Sequence, residues 1–510
     1  MLSIYAPEEL IPILREYIAT EDRLDELVEV HDLLAARPAP SAYHFIVRPR
    51  QGIVHTFDWH NVMAPYLLPE EIELTRDNLL GLVFAKIDNW EQAEAYTQNN
   101  PMLWHELRML FQIQKGIPSD PGELTSSLAA FEEYRFCHNS AILHHYAATE
   151  ESFDPEKTRY FYREAIQSAP NGEYAAFTAR QMAAFLQDMG ELDMAETTLQ
   201  QALPQALSDD AAMALKTGLC GVWMAKLTVP YDRALLEHLK STLWEVLQYY
   251  EREDRQEEIA LTLVEAARIA HYTESWSEGL GYINRAIAIF EAQDQEAFLA
   301  PAHYQRALLL YSWAKKGNPQ FFQGALDSFK IAAAVFNREN APDVFAEIQQ
   351  YLGIIYAEMP DEALKRSMWA AISSSSFQEA LRYYTREERP YEYAMVCNHY
   401  GNALTKYPPA THTDNIEKAL FYYNEALNIR TAEALPVERA ATLLNYVEAC
   451  WSLNLEGRGA GEEVFADMLA KAQEAQALAI DPQMRDEAAQ QLARLENLRQ
   501  TLAAETEPHA

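Results

Sequence analysis

Along most of the chain, apolar positions recur every three or four residues with small residues at regular places among them. This is the period of amphipathic helices that each bury one stripe. The cleanest stretch is ARQMAAFLQDMGELDMAETTLQQALP. Met182, Ala183 and Leu186 make the stripe of a first helix, and Gly190 closes a turn. Leu192, Ala195, Leu199 and Ala202 make the stripe of a second helix, which Pro204 ends. Ala183 and Ala195 let the two backbones approach while larger neighbours fill the flanking grooves. Neither helix buries its stripe alone, so the next pair must supply the other wall.

The same alternation of small and large residues returns at intervals of about 34 residues. It appears in NLLGLVFAKIDNWEQAEAY with Gly81, Phe84, Trp90 and Ala93, and in SWSEGLGYINRAIAIF with Trp276, Gly279, Ile283 and Ala286. FFQGALDSFKIAAAVF repeats it with Phe322, Ala325, Phe329 and Ala332. Later copies hold Gly353 and Tyr356, then Phe377, Ala380 and Tyr384, then Gly401 and Leu404, then Ala419, Tyr423 and Ala426.

These segments resemble tetratricopeptide repeats (TPRs) from Leu79 to Pro482. The run from Phe377 to Ala449 is similar to the repeats of large bacterial TPR proteins, some of which carry a caspase-like protease domain. Here the residues after Ala449 read as more helix, so no protease activity carries over. The resemblance implies an all-α fold, a right-handed superhelical α-solenoid whose first helices line a concave groove for an extended peptide or a partner helix. The family's groove positions fall on Arg180 and Gln187, on Arg268, His271 and Tyr272, and on Gln305, Gln350, Asn398, Asn402 and Lys406. Amides and aromatic rings at such positions can satisfy a peptide backbone and stack on its side chains. TPR domains that clamp the acidic ends of chaperones use lysines around their asparagines; Asn398 and Asn402 lack those lysines, which argues against a chaperone clamp.

The pattern divides the chain into a non-repeat front at 1–78, an irregular solenoid at 79–482, and a capping helix with a tail at 483–510. In the front, residues 6–36 read as an amphipathic helix ending at ARPAPSA. YHFIV and GIVHTF then predict a short hairpin around RPRQG, with Gly52 near its turn. About fifteen extra residues between Tyr356 and Phe377 predict an inserted loop carrying Arg366 and Trp369, with a serine run from Ser373 to Ser376. TKYPPATHTDN and KKGNPQ lengthen two further turns.

Composition narrows the function. The 17 glycines among 510 residues speak against an all-β fold. The net charge of −35 is spread along the chain, and such a surface repels phosphate backbones and anionic lipid. It predicts no nucleic-acid or membrane partner, and it favours a basic protein partner if it favours any. Cys137, Cys220, Cys397 and Cys450 form no CxxC pair and read as buried thiols of a reducing cytoplasm. The amino terminus has neither a basic start nor a continuous apolar run, so no signal peptide is expected.

Candidate chemistry is sparse. His55, Asp58 and His60 are ordinary metal-ligand types, but an extended strand would point His55 and Asp58 to opposite faces. Cys137, His138, His144 and His145 crowd one helix. No phosphate loop, nucleophile elbow or HExxH helix occurs, so neither metal, cofactor nor catalysis is expected. The sequence predicts a non-catalytic scaffold or adaptor, with a ligand-responsive regulator that changes curvature on binding as the alternative. Repeat ends can stack between chains, which leaves the oligomeric state open.

Overall fold

A computed structural model of the chain describes residues 2–35, 44–50, 52–55, 57, 59, 64–119, 130–149, 152–228, 231–359, 365–409, 414–453 and 458–506. Two compact units divide it, Met1–Glu258 and Ile259–Ala510.

The first unit opens with a four-stranded sheet. Strands β1 (Leu2–Ala6), β2 (Val28–Asp32), β3 (His44–Arg48) and β4 (Gly52–His55) lie in the order β2-β1-β3-β4. β1 is parallel to both β2 and β3, and β3 and β4 form the expected antiparallel hairpin. Gly52 is required there twice over: its φ is 77°, and a Cβ would come within 2.2 Å of the Ile72 carbonyl oxygen. The helix expected over residues 6–36 is corrected to α1 (Ile11–Ile18), because β1 and β2 take its ends. Leu2, Ile4, Ala6, Val28 and Val30 alternate inward and bury against Leu14 and Ile18 of α1.

Helices follow: α2 (Arg76–Lys86), α3 (Trp90–Thr97), α4 (Pro101–Gln114), α5 (Ala130–Tyr146), α6 (Pro155–Ser168), α7 (Gly172–Asp188), α8 (Leu192–Ala202), α9 (Asp209–Lys226) and α10 (Arg233–Arg252). The boundary between the units falls in the first turn of α11 (Gln256–Tyr272). The second unit continues with α12 (Trp276–Ala292), α13 (Glu296–Lys315), α14 (Phe321–Val335), α15 (Pro342–Glu358), α16 (Arg366–Tyr383), α17 (Pro390–Leu404), α18 (Asn415–Leu427), α19 (Pro436–Cys450), α20 (Arg458–Leu478) and α21 (Pro482–Thr506).

Within each unit these helices pack as consecutive antiparallel pairs, the TPR-type solenoid arrangement: α5 with α6 and α7 with α8, then α13 with α14, α15 with α16, α17 with α18 and α19 with α20. First helices also meet directly, α7 against α9, α15 against α17, and α19 against α21. Starts are set by capping side chains. Asp154 accepts from the backbone N–H groups of Glu156 and Lys157 ahead of Pro155, and Asn171 accepts from those of Glu173 and Tyr174. Turns between partners reuse one device, a left-handed residue followed by an N–H that reaches back five residues. It occurs at Gly190, with Glu191 bonded to Leu186, and at Asp294, with Gln295 bonded to Phe290.

Close packing explains the small positions. A Cβ on Gly401 would meet the Tyr423 ring at 2.5 Å, so only glycine lets α18 seat that ring on α17. The inserted loop expected around Arg366 and Trp369 is corrected: both lie in the first two turns of α16, whose Ser373 and Ser376 pack inward. Ser373 is buried and its hydroxyl takes bonds from Tyr407 and to the Gly353 carbonyl, which keeps the polar run helical. Among the described residues, no helix is long and apolar enough to cross a membrane.

Candidate functional site

The first helices of the two units carry similar polar side chains and use them differently. In the first unit, α5 presents Arg135, His138 and Asn139, all buried. They hold an irregular stretch of the chain's own backbone at residues 64–69. Asn139 accepts from the Leu67 N–H at 2.8 Å and donates to the Leu67 carbonyl at 2.8 Å. His138 Nε2 lies 2.7 Å from the Pro65 carbonyl, and its Nδ1 lies 2.9 Å from the Thr178 hydroxyl on α7. Burial lowers the pKa of His138 to about 4, so the ring is neutral at pH 7. A carbonyl oxygen can only accept, so the proton sits on Nε2 and Nδ1 accepts from the Thr178 hydroxyl.

The same stretch is clasped by side chains. The Tyr66 hydroxyl donates to Glu106 at 2.6 Å, and Glu106 and Glu132 both pair with Arg135, at 2.9 and 2.8 Å. Arg180 of α7 donates to the Trp59 carbonyl. Trp59, Tyr66, Leu67 and Leu68 are buried, a contribution on the order of 6–12 kcal/mol at about 1.5–3 kcal/mol each. Arg180, expected to face a partner, is thus engaged by the chain itself, and Gln187 turns its amide toward the Ala183 carbonyl of its own helix.

In the second unit a cavity of about 540 Å³ opens along the last turns of α13, α15, α17 and α19. Of the expected groove residues it brings together Asn402 and Lys406. Gln350 and Asn398 are buried behind it: the Gln350 amide donates to His399 Nδ1 at 3.1 Å, and Asn398 accepts from Asn445 at 3.1 Å. His399 and Asn445 themselves line the cavity. Burial lowers the pKa of His399 to about 4, so the neutral ring carries its proton on Nε2. Asn402 accepts from the Tyr423 hydroxyl at 2.7 Å. Among the described residues this leaves the Asn402 amide N–H groups, the Asn445 amide oxygen and His399 Nε2 without hydrogen bonds.

Charge at the cavity gathers in two clusters. Lys315 and Lys406 converge on one oxygen of Glu358. Burial pushes the Glu358 pKa up, but its bonds to Lys406 and then Lys315 outweigh that and hold it below the usual value. Glu448 accepts from Gln491 at 2.7 Å and pairs with Arg494 at 2.7 Å.

The remaining expected groove residues do not join the cavity. Arg268 pairs with Glu265 one turn back on α11, His271 bonds the Ser312 hydroxyl of α13 at 2.8 Å, and Tyr272 stacks on His271. Gln305 is half-buried on α13. Sequence reasoning missed Lys315, Glu358, His399, Asn445 and Glu448, which also line the cavity. One signal was available: Cys137-His138-Asn139 and Cys397-Asn398-His399 place the same residue types on first helices of both units.

For the histidine-rich helix, His144 stacks on Phe161 and His145 lies between Tyr162 and Asp188, so the rings diverge toward different neighbours. Asp58 and His60 lie outside the described residues. No group of three metal-ligating side chains converges among those that are described.

No family model matches the chain, and no curated protein matches it in sequence. Solved structures are similar in part, among them the following three. A chain of the APC/C hetero-tetramer Cut9-Hcn1 is 13% identical over 82% of this chain and 84% of its own, with a TM-score of 0.35. Yeast Tom70 is 11% identical over 85% and 90%, with a TM-score of 0.32. A circular tandem repeat protein is 14% identical over 84% and 97%, with a TM-score of 0.19. The repeat architecture is read from this chain's own helix pairs, not from these superpositions.

Proposed function

We propose that the chain is a non-catalytic protein-interaction scaffold, and that the cavity along α13, α15, α17 and α19 holds a segment of a partner protein. The observation that carries this reading is the unused hydrogen-bonding capacity of Asn402, Asn445 and His399 at an open cavity. Donors and an acceptor side by side match the alternating C=O and N–H groups of a peptide backbone. The first unit supports it from within the chain, since Asn139 and His138 on α5 grip Leu67 and Pro65 through just such backbone groups.

The test is a displayed peptide library selected on the full chain, with affinities remeasured on an Asn402→Ala, Asn445→Ala double variant. Selected peptides should bind the double variant about tenfold or more weakly, for two lost hydrogen bonds of about 0.5–1.5 kcal/mol each. Peptides that bind both proteins equally well would remove the cavity as the site.

A further inference from the structure

A second cavity lies in the first unit beside the held backbone, with Trp59 and Leu67 among its lining residues. It measures about 280 Å³ and lies between the β3–β4 hairpin and helices α5 and α7. Ile46 and Val54, cross-strand partners on the hairpin, form one wall. Three half-buried rings form the others. Tyr174 stands nearly perpendicular to Phe57, at 4.6 Å and 75°, and to Phe131, at 5.4 Å and 70°. The rings therefore face the space from different sides.

The rim carries two carboxylates and one guanidinium, Glu70, Glu173 and Arg48. Glu173 is occupied, accepting from the backbone N–H groups of Leu207 and Ser208 at 2.8 and 3.2 Å. Glu70 and Arg48 are exposed and make neither an ion pair with each other nor any other polar contact among the described residues. Both act on the Tyr174 hydroxyl, where burial raises the pKa, Glu70 adds to the rise and Arg48 opposes it. The rim is thus net negative, and its one uncommitted carboxylate stands beside an aromatic box.

Aromatic faces carry negative potential, and a box of rings closed by a carboxylate favours a cation of low hydration. We propose that this cavity binds an alkylammonium head, that of a lysine side chain or its N-methylated form, carried on a partner peptide. A lysine head with its last methylenes fits the volume. The methylenes meet Ile46 and Val54, and the ammonium meets the rings and Glu70. The acidity of the whole chain, −35 in net charge, draws such a peptide toward it. The site is independent of the cavity in the second unit.

The probe is a short capped peptide containing trimethyllysine, followed by proton NMR of its N-methyl signal and by calorimetry. A second peptide replaces the quaternary nitrogen with carbon at the same shape. Binding inside the box should move the N-methyl signal upfield through ring currents, and the cation should bind about tenfold more tightly than its neutral copy. Glu70→Gln should weaken the cation severalfold and leave the neutral copy unchanged. Phe131→Leu, which keeps an apolar side chain there, should remove most of the upfield shift while the melting curve stays in place. The Asn402→Ala, Asn445→Ala variant should leave the shift intact. Equal binding of the neutral peptide, indifference to Glu70→Gln, loss of the shift in the second-unit variant, or no binding of the probe would each overturn the proposal.

Discussion

Asn139 on α5 and Asn402 on α17 sit on first helices of different units, and the contrast between them separates scaffold from site. Asn139 is buried and spends both ends of its amide on Leu67. Asn402 is half-buried, spends only its oxygen, on Tyr423, and faces an open cavity. A repeat helix that bonds an irregular backbone has one mode of holding, whether the backbone is its own or another chain's. The first unit uses that mode to secure residues 64–69, and under the proposed function the second offers it to a partner segment. A free peptide cannot compete for the first groove, because the tethered stretch acts at a millimolar effective concentration and buries the large side chains of Tyr66, Leu67 and Leu68.

The largest expected effect tests whether that stretch is truly fixed. Asn139→Ala strands the buried Leu67 N–H, at about 1–3 kcal/mol, and leaves the Leu67 carbonyl only its longer bond from Arg135, a further loss of about 0.5–1.5 kcal/mol, so the first unit should lose about 1.5–4.5 kcal/mol. Hydrogen exchange should show the loss in α5, α7 and residues 64–69, while α13 to α19 keep their protection. Unchanged protection around Leu67 would mean that the stretch is not held as described.

The next effect is acid sensitivity, which should divide between the units in the same way. His138 is buried and neutral, with its pKa lowered to about 4 from an unfolded value of about 6.5. Between those values the unfolded chain binds the extra proton, so stability is full above about pH 6.5 and falls as the pH drops toward 4, by up to about 3 kcal/mol. His399 is lowered to about 4 by burial as well and acts on the second unit with the same sign. His138→Gln should reduce the pH dependence of the first unit only, where burial also lowers His145, and His399→Gln that of the second only, where burial also lowers His271 and His303. A slope that stays unreduced in both variants would assign the acid response to other groups.

The sequence made the repeats legible because small and large positions are imposed by helix contact. Gly353 and Gly401 stand out as small positions in the sequence, and the structure seats Phe377 and Tyr423 on them. The front end was misread because β1 and β2 are five residues each and their alternation, as in Val28-Glu29-Val30, is too short to outweigh a helical neighbourhood. The added residues before Phe377 predict a loop because they exceed the repeat spacing, whereas in the structure the hydroxyls of Ser373 and Ser374 find partners in Gly353, Tyr407 and Tyr400, and the run stays helical. Groove residues were the least legible. Family positions located Asn402 and Lys406, but whether a groove is open depends on what else fills it, and no local pattern says that Arg180 meets Trp59, 121 residues away.

The smallest expected effect on stability closes the comparison from the other side. Asn402→Ala removes one hydrogen bond from the Tyr423 hydroxyl, and it does so beside a cavity into which the freed hydroxyl can turn toward water. The cost should therefore be about 0.5–1.5 kcal/mol, well under that of the same substitution at Asn139. Its consequence for binding should be the larger one, because the amide N–H groups facing the cavity go with it. Urea unfolding of the two single variants, read by hydrogen exchange in each unit, puts the asymmetry on one scale. If Asn402→Ala proves as costly as Asn139→Ala, the second groove is built for its own stability, and the distinction between a filled and a vacant groove collapses.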